Sequence, residues 1–200
     1  MIYHLEHTLI KTDVKSYIGN YRDPDKFIEY CKQCNRYTAC WACPPYDFDT
    51  EQYISPYTNA FILGTKITPD NTLRNNTEEQ TKSHAYNLIE EVRKFLDEAL
   101  LHAERIYPGS KVFFAGTCHL CPIGTCTRIT GSPCLYPDKI RPSLEAFGFD
   151  IGRTSSELIG IELKWSSNGE LPEYFVLVSG LFSDCDDINI PSIKITNPDT

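Results

Sequence analysis

Residues 77–107, TEEQTKSHAYNLIEEVRKFLDEALLHAERIY, carry the pattern that decides the fold class. Thr77 and Gln80 stand at capping-box spacing, and Pro108 and Gly109 close the stretch, so it reads as one long helix. Ala85, Ile89, Val92, Leu96, Ala99, Ala103 and Ile106 step by four and three, which places them on one helical face. That face serves either to pack on a core or, in the competing use, to form a coiled-coil seam. Residues 60–67 before the helix and 111–116 after it are strand-sized and apolar, and the polar run 68–76 is a surface loop. Residues 173–181 form a last strand, entered from a turn at Asn168 and Gly169.

Shorter elements fill the remainder. Asp23 can cap a helix whose first position is Pro24, with Phe27, Ile28 and Tyr30 packing inward. Residues 142–147 predict a short helix stopped by Gly148, and residues 156–163 a second one. The order of strands and helices predicts a single α/β domain over residues 1–200. It comprises a small mixed sheet, one long and several short helices, and two cysteine-rich metal loops near residues 31–46 and 118–137.

The chain has 200 residues, 41% of them hydrophobic, which is enough to bury a core without covalent staples. Its net charge of −8 and its lack of clustered Lys and Arg exclude a nucleic-acid surface. No basic segment followed by an apolar core opens the chain, and the longest uncharged apolar run, near residues 174–182, is too short to span a bilayer. The expected setting is cytoplasmic, without membrane association. There, nine cysteines point to metal or redox chemistry rather than to disulfides.

Eight of them fall into two quartets. Residues 31–45, CKQCNRYTACWACPP, place Cys31, Cys34, Cys40 and Cys43 as two C-x-x-C pairs. Residues 118–134, CHLCPIGTCTRITGSPC, place Cys118, Cys121, Cys126 and Cys134 among Pro and Gly residues that let the backbone wrap a cofactor. Thiolates are soft donors that select zinc, copper(I) or iron–sulfur clusters. Zinc pairs usually stand farther apart than Cys34 and Cys40, whereas a 4Fe–4S cluster accepts compact, irregular loops. Two 4Fe–4S clusters are the expectation, with zinc as the alternative, and ligands can be exchanged between the stretches. Cys185, among aspartates, reads as a packed thiol.

Other residues near the quartets have plain uses as well as functional ones. His119 can donate a hydrogen bond, face solvent or replace a cysteine as a ligand. Tyr37, Trp41 and Tyr46 can shield a cluster or simply pack. Lys32, Arg36, Arg128 and Arg141 can balance thiolate charge or attract an anion, and none is assigned as catalytic.

The run from Cys31 to Tyr37, then Trp41 and Cys43-Pro44-Pro45, resembles the signature of a bacterial and archaeal family of unknown function described as predicted metal-binding proteins. Cys118, Cys121 and Cys126 also resemble that family's distal motif, together with Pro133-Cys134, Pro137, Arg141-Pro142-Ser143, Glu145-Ala146 and Gly148. The resemblance implies cysteine-bound metal, with iron–sulfur as the expected form, in a cytoplasmic protein. It implies no particular reaction.

Three functions follow. The first is electron transfer with a redox protein partner. The second is a reductase with an open iron site, suggested by the four residues between Cys121 and Cys126. The third is a zinc-stabilised scaffold whose long helix docks a partner.

Overall fold

Strand β2 (Asn59–Pro69) organises the molecule, because NAFILGTKITP is apolar at both odd and even positions and is buried on both faces. In the computed structural model, which describes residues 3–70, 78–166 and 170–194, it is an inner strand of a four-stranded sheet ordered β1-β2-β4-β3. Its neighbours are β1 (Tyr3–Asp13) and β4 (Phe175–Ser183), and β4 also pairs with the short β3 (Lys111–Phe113). All three pairings are antiparallel, with Thr8 opposite Gly64, Leu63 opposite Ser179 and Val112 opposite Leu181. The one parallel element is the isolated bridge between Phe114 and Ser143.

The α/β expectation is met, with β1 as an addition. Its sequence YHLEHTLIKTD mixes charge and threonine with apolar groups; it pairs along its length with β2 and packs Tyr3, Leu5 and Leu9 against the core.

Around the sheet lie helices α1 (Val14–Tyr21), α2 (Pro24–Lys32), α3 (Thr50–Ile54), α4 (Glu78–Ile106) and α5 (Ile151–Arg153). The chain continues from α5 as a π-helical turn, Thr154–Ile159, which stops at Gly160. The helix predicted over 156–163 is therefore shorter and starts earlier. The cap proposed at Thr77, most of the polar loop over 68–76, and the turn at Asn168 and Gly169 lie outside the described residues.

The two faces of the sheet carry separate cores. On one, Phe61, Leu63, Ile67, Val112 and Leu181 meet Leu88, Val92, Leu96, Ala99, Leu100 and Ala103 of α4. The apolar stripe of α4 is thus spent on the sheet rather than on a coiled coil. Leu88 and Leu100 belong to the stripe, whereas Ile106, expected on it, is 46% exposed at the helix end. On the other face, Ile62, Phe113, Val178 and Phe182 meet Val14, Tyr17, Ile54, Leu144, Phe147 and Phe149. Gly64 allows the π turn to approach, because a Cβ there would lie 2.7 Å from Cγ2 of Ile159.

Helix α2 departs from the inward packing expected of it. Asp23 caps it by accepting from the Lys26 amide at 3.0 Å, but none of its residues is buried and Tyr30 is largely exposed. It is instead fastened at its start. The Asp23 amide donates to the Gly148 carbonyl at 2.8 Å, and a Cβ at Gly148, where φ is +85°, would lie 2.6 Å from Cα of Pro24. Among the described residues, no helix is long and apolar enough to cross a membrane.

Candidate metal centre

Both C-x-x-C pairs of the first stretch sit on backbone turns. The Cys34 amide donates to the Cys31 carbonyl and the Cys43 amide to the Cys40 carbonyl, each at 3.0 Å. Helix α2 delivers Cys31 on its last turn. Between the pairs the chain reverses at Thr38, whose φ is +60° and whose amide donates to the Pro44 carbonyl at 3.0 Å. Tyr46 donates to the Ala42 carbonyl at 2.7 Å and packs its ring against Phe48 and Phe147. Burial, beside Cys43, Cys31 and Cys40, pushes the Tyr46 phenol well above its ordinary pKa, which keeps its proton in that bond.

The second stretch has almost no regular structure and is tied to α4 by side chains. A polar stripe on the helix, Glu90, Arg93, Asp97 and Glu104, receives it. His119 places Nδ1 2.9 Å from Glu90 and Nε2 3.0 Å from Asp97. Both ring nitrogens thus face carboxylates of α4, so His119 anchors the loop by hydrogen bonds and neither nitrogen is turned toward the cysteines. Arg93 pairs with Asp97 at 3.0 Å and donates to the Thr117 carbonyl, just before Cys118. Arg141 pairs with Glu104 at 2.7 Å at the far end of the stretch.

Arg128 then joins the two stretches. Its guanidinium donates to the carbonyls of Cys40, Cys43 and Pro45 and lies 5.3 Å from the Trp41 ring centroid. Trp41 returns a bond from its indole nitrogen to the Ser132 carbonyl at 3.1 Å. Arg128 is therefore a clamp between loops that stand 85 positions apart at the Cys43 contact, rather than a counter-ion for thiolates.

The clamp brings thiols from both stretches together. The Cys40 thiol interacts with those of Cys118 and Cys43. Donation from these two, with the Ala42 amide, holds Cys40 far below the usual thiol range. Cys43 and Cys118 are pushed up by donating to Cys40 and then by burial. Cys43 also lies 3.7 Å from the Thr117 hydroxyl. Cys121 is raised by burial and by the nearby Cys126, Cys134 and Cys40.

A second regularity concerns the backbone. The amide two residues on points at the sulfur of Cys34 (from Arg36, 3.5 Å), Cys134 (from Tyr136, 3.4 Å), Cys40 (from Ala42) and Cys118 (from Leu120). Such amides stabilise thiolate over thiol, the form that binds metal.

Cys31, Cys34 and Cys43 line one cavity of about 160 Å³ together with Arg36, Tyr37, Thr117 and Glu145. Glu145 stands on a one-turn 3-10 helix, Glu145–Phe147, and its Oε2 is sealed from solvent with no hydrogen-bond partner. Burial raises its pKa above the usual carboxylate range. Eight soft donors gathered at one end of the fold suit a thiophilic metal in kind. As the side chains stand, no three His, Cys, Asp or Glu groups among the described residues are placed to hold a single ion. Three of the thiols line this cavity rather than converging on a point. Cys185 lies apart from the quartets, packed against the core beneath α4 as expected of a small apolar side chain.

Beside the cysteines is a larger cavity, about 560 Å³, walled by Trp41, Tyr46, Phe48, Tyr53 and Pro142, with Cys134 in its lining. Tyr46 and Trp41 therefore form walls of this cavity, and Tyr37 a wall of the smaller one. The polar stripe on α4 and the clamping role of Arg128 were not read from the sequence. The stripe's spacing of three and four residues from Glu90 to Asp97 was the available signal; Arg128 had none, since its partners are distant carbonyls.

No curated protein and no solved structure matches the chain. Residues 19–182, which include both cysteine stretches and the polar stripe of α4, match a family model described as predicted metal-binding protein. The chain belongs to that family, DUF2284.

Proposed function

We propose that this is an iron–sulfur protein whose two cysteine stretches hold two 4Fe–4S clusters and pass electrons to or from a protein partner in the cytoplasm. The observation that carries the reading is the assembly itself: thiols from two remote stretches meet at Cys40 and Cys118, with backbone amides aimed at four of the sulfurs. Three thiols around one cavity of about 160 Å³ suit a polyatomic centre. Adjacent centres suit electron passage between them. Exposed Ile123, Ile129 and Leu135 on the second stretch offer apolar surface to the partner.

The test is metal and acid-labile sulfide analysis of protein purified without oxygen. The expected result is about eight irons and eight sulfides per chain, with a brown colour that dithionite bleaches reversibly. About two zincs and no sulfide would overturn the reading and leave a structural metal protein.

A second reading has one observation in its favour. The aromatic cavity lined by Cys134 could admit a small planar molecule beside a cluster, as a reductase requires. Titrating flat aromatic redox dyes against the loaded protein tests this. Quenching of the Trp41 emission that disappears in Phe48→Ala supports the cavity, and unaltered emission removes it.

A further inference from the structure

The sequence places one quartet on each stretch and leaves exchange of ligands between them open, and the structure bears on that exchange. Cys40 and Cys43 lie on one tight turn with their thiols in contact, yet each has further neighbours of its own. Cys43 lines the 160 Å³ cavity with Cys31 and Cys34, while Cys40 is absent from that lining and meets Cys118. Cys121 also feels Cys40 as a nearby charge. Three thiols therefore line that cavity.

A carboxylate stands beside these three thiols. Glu145 lines the same cavity, lies close enough to Cys31 to act on its charge, and holds Oε2 buried without a partner. A buried carboxylate oxygen without a partner is costly to keep, and a bound metal would offset that cost. A carboxylate oxygen is an acceptable ligand for zinc and for iron alongside sulfur. The turn that carries Glu145 is fixed in place, since Gly148 at its end is locked against Pro24 at the start of α2, the helix that delivers Cys31.

We propose that the C-x-x-C turn at Cys40 and Cys43 is shared between two metal centres. The first is held by Cys31, Cys34, Cys43 and Glu145. The second takes Cys40 together with Cys118 and Cys121 and draws its remaining donor from Cys126 and Cys134. This assignment rests on reading the cysteines as ligands of iron–sulfur clusters. Sharing one short turn would fix the two centres rigidly beside each other.

The experiment counts metal, and sulfide where present, per chain in single and double variants. Cys31→Ala and Cys118→Ala each remove one centre and mark it. Cys40→Ala is expected to lose about half the metal. Cys40→Ala with Cys118→Ala should lose no more, whereas Cys40→Ala with Cys31→Ala should lose all. Glu145→Gln should behave in the mirror sense, losing nothing further with Cys31→Ala and everything with Cys118→Ala. In every single variant the surviving centre reports that the chain has folded. Half the metal retained in Cys40→Ala with Cys31→Ala would return Cys40 to the first quartet and overturn the division. Full metal in Glu145→Gln would remove Glu145 as a ligand. Wild-type protein without any metal would instead defeat the reading on which the proposal stands.

Discussion

The sheet with α4 and the pair of cysteine stretches are held together by different forces. In the sheet, backbone ladders satisfy the polar groups and interleaved apolar side chains fill both faces, so Phe113, Phe182, Leu63 and Leu96 are fully or almost fully buried. In the cysteine stretches there is little apolar burial and little regular structure. The backbone is fixed by hydrogen bonds from a few long side chains, Arg128, Arg93, His119 and Arg141. The comparison teaches where each property resides. Stability belongs to the sheet, and the cysteine end is a shaped loop assembly that a metal centre would complete.

The sharpest way to break this comparison is at the sheet. Phe182→Ala removes a ring packed against Tyr17, Phe113 and Phe149, and should cost about 3–5 kcal/mol of global stability in denaturant unfolding. A loss below about 1 kcal/mol would show that the second core is not a principal source of stability.

Next in size is the clamp. Arg128→Ala strands three carbonyls and frees the Trp41 face, with an expected cost of about 2 kcal/mol confined to the cysteine end. Hydrogen exchange should quicken around residues 40–46 and 126–134, metal content should fall, and the sheet amides should keep their protection. Arg128→Lys should restore little, because one ammonium cannot reproduce the planar fork. Equal loss of protection throughout would merge the two regions into one cooperative unit.

The smallest effect is a pH dependence lodged in the sheet. His7 of β1 lies 3.0 Å from the Thr65 hydroxyl, and burial lowers its pKa from 6.5. The folded chain thus favours the neutral ring, while the unfolded chain takes up a proton at higher pH. The contribution is complete above about pH 6.5 and is lost as the pH falls toward the lowered folded value. His7→Gln should flatten the decline in unfolding midpoint between pH 7 and pH 5. A decline as steep as that of the parent would assign the slope to other groups.

Much of the sheet and helix architecture was legible in the sequence because it is written in local periodicity. The stretch of β2 is continuously apolar, α4 repeats its stripe every three and four residues, and Asp23-Pro24 caps α2 where expected. Strand β1 was not read, because its apolar residues Tyr3, Leu5 and Leu9 are interspersed with charged and polar ones. The inward packing assigned to Tyr30 failed for a different reason: an apolar residue on a short surface helix is buried only if another element arrives to cover it.

The sequence by itself determined the chemistry of the site: eight thiols in two compact runs, an acidic chain and membership in a metal-binding family. Residue types and short spacings are local properties, and local properties survive without a fold. Only the tertiary structure decided which thiols are neighbours. It set Cys40 against Cys118 across 78 positions of chain, turned His119 onto α4, made Arg128 a clamp and left a Glu145 oxygen buried and unpaired beside Cys31. Those relations join residues far apart in sequence and depend on how α4 packs on the sheet and how α2 is tied to Gly148, so no spacing within either run could encode them.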